Sequence, residues 1–206
     1  MAPPPVRRPR AARLDPETRR GLIVDAAEHL FAEHDPLLLT FDQVAQAGGV
    51  SRALVHSYLG DRRGLIDAVH VSIIGRLETW VGHGFHRATT RPGHFGALVQ
   101  GTLSFVETER DAWSVLGASG GFDHPTLHGV RERWTIGISL DERRDDVGAH
   151  AAIGALLLGA GHWVNRGIEA NEIEAVLGPL VGLGATEYQM PKSAERTRAT
   201  APSEPA

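Results

Sequence analysis

The sequence predicts an all-α chain, an N-terminal three-helix head followed by a larger helical body, and three observations predict it. Apolar residues recur at spacings of three and four along most of the 206 residues, the periodicity of amphipathic helices. The alternating Val/Ile/Thr runs that strands need are missing. Helix punctuation recurs, with Asp, Thr or Ser before apolar patterns and glycine after them. The expected division is a basic arm over 1–14, the head over 15–65, the body over 66–188 and a tail over 189–206.

Each element follows from its own signals. Asp15 as N-cap and Pro16 at the first helical position open a first helix. Its stripe is Leu22, Ile23, Ala26, Ala27, Leu30 and Phe31, and it ends before Asp35-Pro36. Thr40 to Ala47 and Ser51 to Leu59 form two short helices around Gly48-Gly49, and Gly60 closes the second. From Asp61 a longer pattern runs through Leu65, Ile66, Val69, Ile73, Ile74, Leu77 and Trp80, breaking at Thr89 to Gly93. Further helices are expected over Phe95 to Glu109, Asp111 to Ala118, Pro125 to Leu140, Asp145 to Arg166 and Asn171 to Gly184. The two ends, rich in Pro, Ala, Arg and Thr, read as disordered.

Composition narrows the function classes. Hydrophobic residues at 42% and charged residues at 22% are globular values. The chain has no cysteine, which excludes a disulfide framework, a thiolate metal site and a cysteine nucleophile. The net charge of -4 hides an arm in which Arg7, Arg8, Arg10 and Arg13 are accompanied by no acid. That arm lacks the apolar run of a secretory signal, so a cytoplasmic protein is expected. Ala149 to Val164 is broken by His150 and His162 and is too short to cross a membrane, so no membrane partner is expected.

The stretch from Thr40 to Leu59 has the layout of a helix-turn-helix. Ala45 is the small residue at the helix crossing, and Gly49 sits four residues later in the turn. Phe41, Val44, Val50, Leu54 or Val55, and Leu59 supply the apolar plug. Thr40 and Ser51 are N-caps, and a capped helix start also presents backbone N–H groups to a phosphate. With these residues in place, Gly49-Val-Ser-Arg-Ala-Leu-Val-His-Ser-Tyr-Leu-Gly-Asp-Arg-Arg-Gly-Leu65 resembles the recognition-helix signature of TetR-family transcriptional regulators. The Ile-Val-Asp-Ala-Ala-Glu-His-Leu-Phe core of the first helix is similar too, and the resemblance covers about Arg19 to Val69. His56 and Leu59 stand where that family usually has tyrosine and phenylalanine, and Arg62 where it usually has lysine.

The resemblance implies that the second short helix enters the major groove of double-stranded operator DNA as part of a homodimer. Arg52, Ala53, Leu54 and Ser57 would then approach bases, Arg52 having the clearest code, bidentate to guanine. Thr40, Ser51, His56, Tyr58 and Arg62 would meet phosphates. The arginine-rich arm would follow a phosphate track or the minor groove, or stay in solvent. An effector pocket for an unidentified small molecule is expected around Trp80, Phe105, Trp113 and Trp134, aromatic positions that an ordinary core would also use. The small-residue helix from Ala149 to Arg166, with the next one, resembles the family's dimer-forming helix pair through Ala151, Gly154, Ala155, Leu158, His162, Val176 and Leu180.

Two decoys carry chemistry on paper. Gly117-Ala-Ser-Gly-Gly121 fits a nucleophile elbow, with Asp123, His124 and His128 downstream. An elbow needs a strand before its serine, and a helical segment precedes Ser119, so the stretch reads as an interhelical loop. His124 and His128 have the spacing of two imidazoles on one helix face, yet no His-Glu-x-x-His or Glu-x-x-His exists, and neither metal nor cofactor is expected. The sequence therefore points to a non-enzymatic, ligand-released repressor. The rival readings are an all-helical hydrolase using Ser119 and a DNA-binding regulator without an effector.

Overall fold

The computed structural model describes residues 15–139 and 147–183. The arm, the tail, and the expected helix ends at Leu140, Asp145 and Gly184 lie outside the described residues. Nine α-helices and no strand are found among those described: α1 (Pro16–Glu33), α2 (Phe41–Ala47), α3 (Arg52–Leu59), α4 (Arg62–Phe85), α5 (Arg91–Thr108), α6 (Arg110–Ala118), α7 (Pro125–Ile138), α8 (Val147–Asn165) and α9 (Ala170–Leu177).

Local chemistry sets most of the ends. Asp15 caps α1 by accepting a 2.9 Å bond from the Thr18 N–H, and the Thr18 hydroxyl donates to the same carboxylate. Together these bonds hold Asp15 below the usual carboxylate range. The buried face of α1 is Ile23, Val24, Ala27 and Phe31. Leu22, expected in that stripe, is instead exposed, because the helix turns Val24 inward and Leu22 to solvent. Of Leu54 and Val55, Val55 is the one buried in α3.

Three later helices differ from their expected bounds for local reasons. α4 continues past Trp80 to Phe85. α5 begins four residues early, at Arg91, since Pro92 lies in the first turn, where a missing N–H leaves no bond unmade. The last expected helix is two pieces, α9 and a 3-10 turn at Gly178–Val181, with Pro179 at the junction.

The described residues fall into two compact units that divide inside α4. The first, the head, takes the residues up to Glu78 together with Thr108–His128, so that α6 packs on α1. The second, the body, takes Thr79–Glu107 and the described residues from Gly129 onward. The sequence places that handover after residue 65, inside the same helix.

In the body, α4 and α5 cross closely on small residues. A Cβ at Gly101 would stand 2.7 Å from the Val81 Cα, and one at Gly84 would stand 3.0 Å from the Ala97 Cβ. Arg91 fastens α5 to α7 and to the 3-10 turn by donating to the Ile138 and Val181 carbonyls.

Candidate nucleic-acid interface

Two helix starts and one exposed helix face make the site. The Thr40 hydroxyl accepts from the Gln43 N–H at 3.3 Å while the Gln43 side chain accepts from the Thr40 N–H at 2.8 Å, a reciprocal capping box. Ser51 caps α3 by accepting from the Leu54 N–H at 3.2 Å. Between the helices, Gly49 takes φ +63°, a left-handed conformation that a side chain would strain. The Val50 N–H then closes the turn on the Ala45 carbonyl at 2.9 Å.

This geometry turns one face of α3 outward. Arg52, Ala53, His56 and Ser57 are exposed, Leu54 and Tyr58 are half-buried, and Val55 and Leu59 face the core. Exposed residues at i, i+1, i+4 and i+5 lie on one side of a helix, so four of the nine expected contact residues share a surface, with Ser51 at its N-terminal edge. Thr40 is exposed at the start of α2.

Two side chains on this surface are already held. Arg52 pairs with Asp42 of α2 at 3.0 Å, both exposed, an arrangement that adds little to stability but orients the guanidinium. His56 is turned toward the C-terminal end of α3, its Nδ1 2.8 Å from the Gly60 carbonyl. The Phe41 ring lies 4.4 Å from it, inclined at 53°.

Arg62, expected to meet a phosphate, is also engaged within the chain. Its guanidinium donates to the Leu37 carbonyl and, at 3.1 Å, to that of Leu39, so it clamps the α1–α2 loop to the start of α4. Two backbone carbonyls arriving from over twenty residues away satisfy much of its fork. Asp42, Gln43 and Asp61, which caps α4 through the Gly64 N–H at 2.9 Å, were not singled out from sequence. For Gln43 the signal was readable as Thr-x-x-Gln.

Behind the site, Arg76 of α4 joins three helices. It donates to Glu28 of α1 at 2.5 and 3.1 Å and to Glu109, at the start of α6, at 2.6 Å. Burial works against its charge, but the two carboxylates more than offset this and raise its pKa.

The elbow serine lies nearby in the same unit. Ser119 Oγ donates to the Val115 carbonyl at 2.5 Å, so the 2.6 Å bond to His70 runs from His70 Nε2–H to Ser119. The hydroxyl proton thus points into a helix carbonyl, and the residues before it are helical. His124 joins Asp67 at 2.8 Å and stands edge-on to His70, whereas His128 is exposed. Burial and the neighbouring His124 lower the His70 pKa. No group of three or more metal-ligating side chains occurs among the described residues.

The aromatic candidates for an effector pocket fall in both units. Phe105 and Trp134 are buried in the body, where Trp80 is half-buried, and Trp113 is buried in the head, edge-on to Phe122. A cleft of about 400 Å³ in the body is lined by Gln100, Leu103 and Glu107 of α5, by residues 167–169 ahead of α9 and by Ala170 and Asn171 at its start.

The α8 candidates divide. Ala149, Ala152 and Ala160, small residues of the same helix, are buried inside the chain. Ala151, Leu158 and His162 face outward, while Gly154 and Ala155 are half-buried. Val147 is 80% exposed, Leu158 75%, Val176 of α9 73% and Leu180 47%.

A capped helix-turn-helix with an outward-facing second helix, continued through α4 into a helical body, has the layout of a DNA-binding regulator. Comparison with known proteins agrees. Residues 23–69 match the family described as bacterial regulatory proteins, tetR family. The HTH-type transcriptional regulator BetI of Rhizobium meliloti is 32% identical over 82 residues, 40% of either chain, so the chain aligns with only about two fifths of that curated relative. A TetR-like regulator from Rhodococcus sp. RHA1 superposes with a TM-score of 0.63 at 20% identity, covering 85% of this chain and all of that one. The multidrug binding protein EbrR, in complex with imidazole, gives 0.61 at 20% identity, covering 86% and 99%. Residues 23–69 thus match the tetR-family DNA-binding domain, and the fold of the chain is that of TetR-like regulators.

Proposed function

We propose that the chain is a cytoplasmic homodimeric repressor that reads a partly palindromic operator through α3 and is released by a small molecule. One observation carries the DNA-binding half: Arg52, Ala53, His56 and Ser57 form one exposed face between two capped helix starts. Arg52 would read guanine, with Ala53, Leu54 and Ser57 nearby, and Thr40, Ser51, His56 and Tyr58 would take phosphates. Arg62 would act by shaping the α1–α2 loop.

The apolar outward residues of α8 and α9 support the dimer, because a row of such residues is unusual on a monomer. Leu158→Arg should leave each chain folded and make it monomeric, read by sedimentation. Operator affinity should then collapse, since two linked heads bind far more tightly than one. A wild-type monomer at micromolar concentration would overturn the dimer.

The decisive experiment selects duplexes from a random library with the full chain and then measures affinity against salt. A shared, partly palindromic sequence with a steep salt dependence is expected; absence of any enriched sequence would overturn the reading. The likeness to a multidrug binding protein supports the effector. Linkage requires that a ligand which weakens operator binding tenfold be itself bound tenfold more weakly in the presence of the selected duplex.

A further inference from the structure

We propose that His56 contacts a DNA phosphate only as an imidazolium, so that operator binding takes up one proton per recognition helix and tightens as the pH falls. The inference rests on α3 being the DNA-reading helix and adds a regulation of that same site. It begins with a tautomer. His56 Nδ1 lies 2.8 Å from the Gly60 carbonyl, and a carbonyl only accepts, so Nδ1 must carry the hydrogen. In the neutral ring Nε2 is then a bare lone pair.

The ring's place decides what that lone pair meets. The bond to Gly60 and the contact with Phe41 draw the imidazole toward the C-terminal end of α3 and toward α2. In the proposed docking, where the N-terminal residues of α3 reach base edges, that place lies on the helix flank, beside which a phosphate strand would pass. A phosphate oxygen is also only an acceptor. Neutral His56 therefore presents a lone pair to an anion, whereas the imidazolium donates Nε2–H while keeping its bond to Gly60. No tautomer flip substitutes for protonation, because flipping would break the Gly60 bond.

Arg52, one turn earlier on α3, is paired with Asp42 of α2, and the Asp61 carboxylate caps α4 through the Gly64 N–H. Among the described residues no ion pair joins a carboxylate to His56, so the incoming phosphate supplies the counter-charge. Binding then couples to proton uptake by ordinary linkage.

The test measures affinity of the full chain for a duplex it has itself selected, at fixed ionic strength, between about pH 8 and about pH 6, where imidazole changes charge. Wild type should tighten by up to about tenfold per pH unit for each head engaged. His56→Gln should lose that slope, and His56→Lys should bind at the alkaline end as tightly as wild type does at the acid end. Far-UV circular dichroism establishes that both variants are folded. A wild-type slope that His56→Gln retains would overturn the proposal, as would a flat wild-type profile or one that weakens with acid, the sign expected if neutral Nε2 accepted from a base amino group. Failure of the chain to select any sequence would instead strike the operator reading, and the same three proteins on a random-sequence duplex at low salt would still test the phosphate contact.

Discussion

In the head, Arg76 reaches carboxylates from two other elements, Ser119 both donates and accepts, His124 pairs with Asp67, and Arg62 caps two loop carbonyls. In the body, His94 Nδ1 and the hydroxyls of Thr102, Thr135 and Ser139 are buried with no hydrogen-bond partner, and α4 crosses α5 on glycines. All four of those orphaned atoms, among the described residues, belong to the body. The contrast teaches what each part must keep fixed. The head is fastened by directional bonds between its helices, whereas the body packs by shape and tolerates unsatisfied hydroxyls.

The largest effect is expected where shape alone decides. Gly101→Val places a branched side chain on the α4 backbone, where even a Cβ stands 2.7 Å from the Val81 Cα. Overpacking against backbone costs about 3 kcal/mol or more, and denaturant unfolding should show it; a loss comparable to a surface substitution would mean that α4 and α5 are not closely packed there.

Next comes the strongest polar fastening of the head. Arg76→Ala strands the Glu28 and Glu109 carboxylates, and about 2 kcal/mol is expected, below the value for fully buried pairs because a third of the Arg76 side chain stays in water. Adding Glu28→Gln and Glu109→Gln should recover part of it. If the triple variant were no better than Arg76→Ala, the arginine would act by packing rather than by charge.

A smaller effect separates the head by pH. His70 is held neutral by burial and by His124, so its folded pKa lies below the unfolded value near ~6.5. The unfolded chain then binds the proton more readily, and the stability His70 contributes is complete above the unfolded pKa and lost as the pH falls through the folded one. Melting temperatures followed down from neutral pH should fall less for His70→Gln than for wild type. This acid loss of stability is opposite in sign to the acid gain in DNA affinity expected of His56, so the two histidines can be separated in one titration.

The smallest effect sharpens the contrast most. Thr102→Val removes an orphaned hydroxyl from the body and should be neutral or stabilising by up to about 1 kcal/mol, whereas Ser119→Ala in the head removes a satisfied one and should cost about 1 kcal/mol. Equal losses from both would mean that the head and the body do not differ in polar satisfaction.

How much of this was legible in the chain follows the range of the forces involved. The Asp15, Thr40 and Ser51 caps and the Gly49 turn are set by residues within four positions of one another, and composition and spacing reveal such contacts directly. The exposed face of α3 was therefore readable, down to the exposure of Arg52 and His56. Tertiary structure decided whatever joins distant residues. Arg62 meets carbonyls 25 and 23 positions away instead of standing free. α6 belongs with the head, and Trp113, buried there, stands in a different unit from Phe105 and Trp134. A helical apolar stripe says that a face is covered but not by what, because the same periodicity serves any partner. Leu22 turned outward and Val24 inward for the same reason: periodicity fixed the helix, and packing chose its face.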